Sequence, residues 1–191
     1  ENVLANVYVD FDTTGRIAAE LLSSQLPAGS RILICAGAPD VVSQRGVVQG
    51  FTSYIDEKSP ELGYVYLYGD GGGEQMSLLS LRLKDMLMRD SSISAVFCVN
   101  ARGSAVAAQV FRELDLGGKI RLVGSDIFKE NIEAMQDGIM QNIVYKAPHQ
   151  QAYKAAKILF DYLLRGIPPF QSDFIIKSSI VFQSNLHMYI D

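Results

Sequence analysis

The chain has 191 residues, with 17 basic and 21 acidic side chains and a net charge of −4. That length builds one sizeable core with an appended element, and is short for two full domains. The acidic balance lacks the lysine and arginine excess of a nucleic-acid footprint or a polybasic membrane patch, and a composition 48% hydrophobic and 20% charged excludes a disordered chain.

Short runs rich in β-branched and apolar residues alternate with longer stretches whose apolar residues recur at helical spacing. Ala5–Val9 is the first expected strand, followed by a helix over 13–25 with Ile17, Leu21 and Leu22 on one face and Asp12 or Thr13 as its cap. A strand over 31–35 and a helix over 42–56 come next. A strand over 64–68 then leads into a helix over 74–88, whose Met76, Leu79, Leu83, Met86 and Leu87 form a core-facing stripe. The pattern continues with strand 95–99, a small-residue helix over 102–114, strand 120–123, a helix over 127–136 and a strand over 140–145. Runs such as ILIC (32–35) and AVFCV (95–99) are apolar throughout, so their sheet is expected to be covered on both faces. Each connecting helix is long enough for a right-handed crossover between parallel strands. The fold class is α/β, a doubly wound parallel sheet.

After Tyr145 the rhythm changes. Pro148 opens a helix through Tyr153, Ile158, Leu159, Tyr162 and Leu163, and Gly166 followed by Pro168 and Pro169 closes it. Its apolar face needs a partner, and the chain offers no obvious second sheet. Two extended runs, 174–177 and 180–182, follow with no helix between them; they are expected to run antiparallel or to cross to another layer.

No apolar run approaches the roughly 20 residues of a bilayer-spanning helix. The start, Glu1–Asn6, has neither the basic nor the apolar region of a secretion signal, so a soluble, cytoplasmic chain is expected. Cys35 and Cys98 each sit in an apolar strand run, where small buried thiols are the ordinary expectation, in keeping with a reducing compartment.

Ligands of an open α/β sheet gather at the carboxyl ends of its strands, where helix N-termini and loop amides converge. Those ends present Asp10, Ala36 with Gly37, Gly69 with Asp70, Asn100, Ser125 with Asp126, and Lys146 with Ala147. Carboxylates and an amide along one edge suit a hydroxyl-bearing ligand, and no nucleophile stands beside a base. The same residue types are favoured helix caps, so capping is the competing reading. Motifs for catalysis fail individually. GDGGGEQ (69–75) lacks the ending of a phosphate-binding loop. His149 and His187 have no partner at metal-ligand spacing, and no nucleophile-elbow motif is present. The chain is read as no enzyme, with neither cofactor nor metal.

VYVDFDTTGRIAAELL (7–22), ILICAGAPDVVSQRGVVQGF (32–51), FCVNARGSAVAAQVFRELDL (97–116) and IRLVGSDIF (120–128), in that order, resemble the effector-binding region of LacI/GalR-family transcription regulators, whose core is similar to periplasmic sugar-binding proteins. The resemblance implies that residues 1–145 are the C-terminal lobe, 146–172 a crossover with a helix lent to the N-terminal lobe, and 173–191 returning strands. It further implies a sugar-like small-molecule effector, a homodimer, lobe rotation as the allosteric signal, and DNA contact only through a headpiece preceding Glu1. Asp126 matches the carboxylate that accepts from effector hydroxyls, and Asn100 the amide beside it. Ser43 and Arg45 lie on a helix entry that supplies a serine and arginines, although Val47 occupies the usual arginine position. With Asp70 from the strand-end reading, these complete the candidate ligand-binding set. Ala101, Gly71 and Ala147 stand where the family has an aspartate, an aromatic ring and a glutamine. Two other classes share the pattern: an extracytoplasmic solute-binding protein or sensor ectodomain of the same fold, and an enzyme on a flavodoxin-like sheet.

Overall fold

A computed structural model describes residues 3–69 and 73–190. In chain order the elements are β1 (Asn6–Val9), α1 (Phe11–Ser23), β2 (Arg31–Ala36), α2 (Val42–Lys58), β3 (Gly63–Tyr68), α3 (Gly73–Arg89), β4 (Ile93–Cys98), α4 (Ala101–Glu113), β5 (Arg121–Ser125), α5 (Lys129–Gln136), β6 (Asn142–Tyr145), α6 (Pro148–Arg165), β7 (Asp173–Ile176) and β8 (Ser179–Phe182), ending in a 3₁₀ helix, Gln183–Met188. Six strands form the main sheet in the order β3-β2-β4-β5-β6-β8. All neighbours are parallel except β8, which runs antiparallel to β6. The central strands β2 and β4 are covered on both faces, which is why they are apolar without alternation. Phe51, Ile55, Ile32, Ile34 and Phe97 belong to the core under α1 and α2; Leu33, Cys35, Leu83, Phe111 and Met135 belong to the core under α3, α4 and α5.

The first expected strand lies outside this sheet. β1 pairs in parallel with β7, forming a separate two-stranded sheet. Both sides of β2 are taken by β3 and β4, and β1 buries only Val9, too little apolar surface for a strand covered on two faces. The two C-terminal runs therefore part company: β7 joins β1, and β8 returns to close the main sheet beside β6. The α1 cap also differs from expectation. Asp10, rather than Asp12 or Thr13, is the N-cap, its carboxylate accepting the Thr13 N–H at 3.0 Å.

α1 and α2 approach each other through two glycines. A Cβ on Gly15 would lie 2.0 Å from the Val47 carbonyl oxygen, and one on Gly50 would lie 2.1 Å from the Asp12 carbonyl oxygen. The contact brings the two helices to backbone separation, and it sets where both helix starts sit above the sheet.

The α3 stripe behaves as core at Leu79, Leu83 and Leu87, which are buried, and Met86, which is half-buried; the Met76 side chain lies outside the described residues. α6 does not behave as core. Pro148 sits in its first turn and Gly166, at φ +66°, ends it, yet none of its residues is buried. Leu163 and Leu164 are 65% and 72% exposed. Cys35 and Cys98 are free and buried; a hydrogen bond to Cys35 and burial push the Cys98 thiol well above its ordinary value, which disfavours the reactive thiolate. Among the described residues no helix is long and apolar enough to cross a membrane.

Gly50→Ala is expected to lower unfolding stability by about 1–3 kcal/mol, because backbone on both sides must separate to admit the methyl group. Urea denaturation compared with the exposed Gly118→Asn change, at a positive φ with open space around it, measures the packing effect against a glycine change that displaces nothing.

Candidate functional site

Three segments pass between the main sheet and the β1–β7 pair: Val9–Asp10, Lys146–Ala147 and Lys177–Ser178. Two are tied at their crossing, since the Thr14 hydroxyl donates to the Asp10 carbonyl at 2.6 Å and lies 2.7 Å from the Ser178 hydroxyl. A crevice of about 280 Å³ opens where the crossings meet the carboxyl ends of β4, β5 and β6 and the start of α2. Ser43, Gln44, Asn100, Asp126, Lys146 and Gln151 supply its polar groups; Val9, Phe11, Val47, Val99 and Pro148 supply its apolar wall.

Asp126 is held in an unusual way. Its backbone is left-handed at φ +59°, a conformation that favours glycine or a residue with local hydrogen bonds. Its N–H donates to the Val144 carbonyl at 3.0 Å. The Lys146 N–H donates to one carboxylate oxygen at 3.1 Å, and the Lys146 ammonium lies 2.8 Å from the other. The ammonium also donates to the Val99 carbonyl at 3.3 Å. Side-chain exposures of 16% for Asp126 and 19% for Lys146 make this a mostly buried pair, in which each charge relies on the other. Burial, reinforced by the Asp126 carboxylate, holds the neighbouring Tyr145 phenol above its ordinary value.

Asn100 combines the two readings its position allowed. It is the α4 N-cap, its side-chain Oδ1 accepting the Gly103 N–H at 2.8 Å, while its side-chain amide donates to Gln44 Oε1 at 3.2 Å. The same Gln44 oxygen accepts the Gly37 N–H at 2.6 Å, so one side chain joins the β2–α2 and β4–α4 turns. The arrangement offers amides, a hydroxyl, a carboxylate and an ammonium above an apolar wall, which suits a small polyhydroxylated molecule.

Ser43, Asn100 and Asp126 of the sequence-derived set line this crevice. Arg45 does not: it is exposed and borders a separate hollow with Pro39, Val48 and Tyr68. One residue of helix explains the difference, since each step along α2 turns a side chain by about 100°, and Gln44 rather than Arg45 faces the crevice. Asp70, with Gly71 and Gly72, lies outside the described residues. Gln44, Gln151 and Phe11 were not singled out from sequence; Lys146 was visible only as a strand-end residue. The signal for Gln44 was its place in the first turn after β2; Phe11 and Gln151 carried none. His149 and His187 are exposed, and among the described residues no three His, Cys, Asp or Glu side chains gather as a metal site.

Residues 1–166 match the family model described as periplasmic binding protein domain. The chain belongs to this family. No curated protein matches this domain, but solved structures do. It superposes on a periplasmic ribose ABC transporter from Conexibacter woesei with a TM-score of 0.82 and 18% identity, covering 98% of this chain and 62% of that one. An ABC transporter periplasmic solute-binding protein from Actinobacillus succinogenes with bound D-allose gives 0.83 and 20%, covering 97% and 63%. A sugar ABC transporter sugar-binding protein from Bacillus halodurans gives 0.84 and 17%, covering 99% and 67%. At these identities the likeness is one of fold, and the periplasmic binding protein domain here spans about two thirds of each neighbour's length.

In this domain Asp126→Asn and Lys146→Gln are each expected to cost about 1–3 kcal/mol, because either change strands the opposite charge in a mostly buried position. The double variant should lose clearly less than the sum of the two. Chemical denaturation of the four proteins gives the coupling, and simple additivity would contradict a cooperating pair.

Proposed function

We propose that the chain is part of a two-lobed clamp that senses a sugar or a related small polar metabolite. The observation that carries this reading is the convergence of Ser43, Gln44, Asn100, Asp126 and Lys146 on one crevice at the crossings between the two sheets. Such a position lets one ligand touch both sides of a joint, and a ligand with different affinity for the open and closed forms shifts their balance. Asp126 accepts from ligand hydroxyls, Asn100 and Gln44 donate and accept beside it, and Phe11 offers an apolar ring to a sugar face. Chemistry on the ligand is no part of the mechanism. In this reading residues 1–145 largely form one lobe, while α6 and the β1–β7 pair belong to the other. The exposed apolar residues of α6 support that division, because a helix of this composition packs against a neighbour.

The four family-like segments, in order, favour a LacI/GalR-type regulator: a cytoplasmic homodimer in which rotation of the lobes is relayed to a DNA-binding headpiece elsewhere in the full protein. A second reading, a periplasmic sugar-binding protein or sensor ectodomain, is favoured by the solved neighbours described as transporter binding proteins. Fold does not separate the two; the residues upstream of Glu1 do, a helix-turn-helix supporting the regulator and an export signal the binding protein.

Calorimetric titration of the complete protein with D-ribose, D-arabinose, D-allose and D-glucose tests the sensor reading. Binding of at least one sugar is expected, and Asp126→Ala should weaken it by about 100-fold, since charge-assisted hydrogen bonds are lost together with the Lys146 partner. An Asp126→Ala variant that binds like the parent would count against it. The 191-residue chain alone should bind more weakly than about 1 mM, a level at which few of the contacts of a closed clamp are made.

A further inference from the structure

Behind the crevice, bonded to the backbone of two of its lining residues, lies a second polar cluster. Ser104, Ser125 and Asn131 are 0%, 1% and 0% exposed, and none of them lines the crevice. The Ser104 hydroxyl donates to the Asn100 carbonyl at 2.8 Å and accepts the Ser125 N–H at 2.8 Å. The Ser125 hydroxyl donates to the Cys98 carbonyl at 2.7 Å. The Asn131 amide reaches the carbonyls of Ser125 at 3.2 Å and Asp126 at 3.1 Å, and approaches that of Ala101 at 3.5 Å. The cluster thus binds the end of β4, the first turn of α4 and the turn after β5 into one unit.

We infer that Ser104, Ser125 and Asn131 are positioning residues that hold Asn100 and Asp126 at their mutual spacing and keep Asp126 in its left-handed backbone. Two successive carbonyls converge on one amide group only when the chain between them turns sharply, and Asp126 is the residue that makes the turn. The cluster also carries a cost. Asn131 Oδ1 is buried with no hydrogen-bond partner among the described residues, and an unpaired buried acceptor opposes folding. Set against that cost are the amide's donated bonds to the Ser125 and Asp126 carbonyls, which an apolar side chain would leave unpaired. What the amide provides is a fixed distance between two strand-end turns, which a clamp needs to within a fraction of an ångström.

This inference rests on the reading of the crevice as a polar-ligand site, but its test needs no ligand. The reporter is the Lys146 amide, whose acceptor is the Asp126 carboxylate and which touches none of the three residues. In the 191-residue chain, hydrogen exchange followed by NMR is expected to show Asn131→Ala speeding exchange at Lys146 by about tenfold beyond any change at Leu33 and Val96 in the sheet centre. Ser104→Ala, a smaller change that removes the link to the Ser125 N–H, should act in the same direction and serves if Asn131→Ala fails to fold. Equal acceleration at all three amides would mark the cluster as merely structural and overturn the inference, and so would unchanged exchange at Lys146. Sugar titration of the unmodified protein fails or succeeds independently of either result.

Discussion

The ion pair between Asp126 and Lys146 is the interaction on which the rest of this site depends. It spans the turn after β5 and the first residue of a crossing to the second sheet, and its two partners are more than four-fifths buried. Burying either charge without the other is costly. Backbone strain is added at both ends: Asp126 at φ +59° and Ala147, next to Lys146, at φ +50°. Such conformations persist where the surroundings over-determine them. Here the Val144 carbonyl, the Lys146 N–H and the Asn131 amide do so.

The pair also sets the terms on which a ligand would be received. Its carboxylate already accepts a hydrogen bond from the Lys146 N–H and pairs with the Lys146 ammonium, so a hydroxyl arriving in the crevice shares the remaining lone pairs rather than filling an empty acceptor. Discrimination would then follow from whether a ligand's hydroxyls can add to that geometry without displacing the ammonium, since stranding either charge is costly. The larger hollow of about 480 Å³ on the far side of Asn100 and Gln44 has no such charged pair among its described lining residues.

Beneath the site, the scaffold is positioned by close packing. α1 and α2 touch backbone to backbone at Gly15 and Gly50, so the helix starts that carry Asp10, Phe11, Ser43 and Gln44 are located by the same contact. A sheet covered on both faces by apolar side chains is stiff, and it places its strand ends in a row from Gly37 to Lys146. The crossings at Asp10, Lys146 and Ser178 are few and narrow by comparison, tied by single hydrogen bonds such as Thr14 to Ser178. Motion between the two sheets, if a ligand drives it, is concentrated there.

The amino-acid sequence by itself determined the alternation of elements, the two-sided burial of β2 and β4, the Pro148 and Gly166 bounds of α6 and the strand-end position of Asn100 and Asp126. Each follows from local periodicity, from a residue with a restricted backbone, or from a rule about where parallel sheets leave their loops. Tertiary structure alone decided that β1 leaves the main sheet for β7, and that Gln44 and Lys146 face the crevice while Arg45 turns away. Those outcomes rest on strand pairings more than 160 residues apart in sequence, on one helical step of rotation, and on a salt bridge between separate strand ends. No short-range pattern encodes such features, because their energy comes from groups that meet only when the chain has folded.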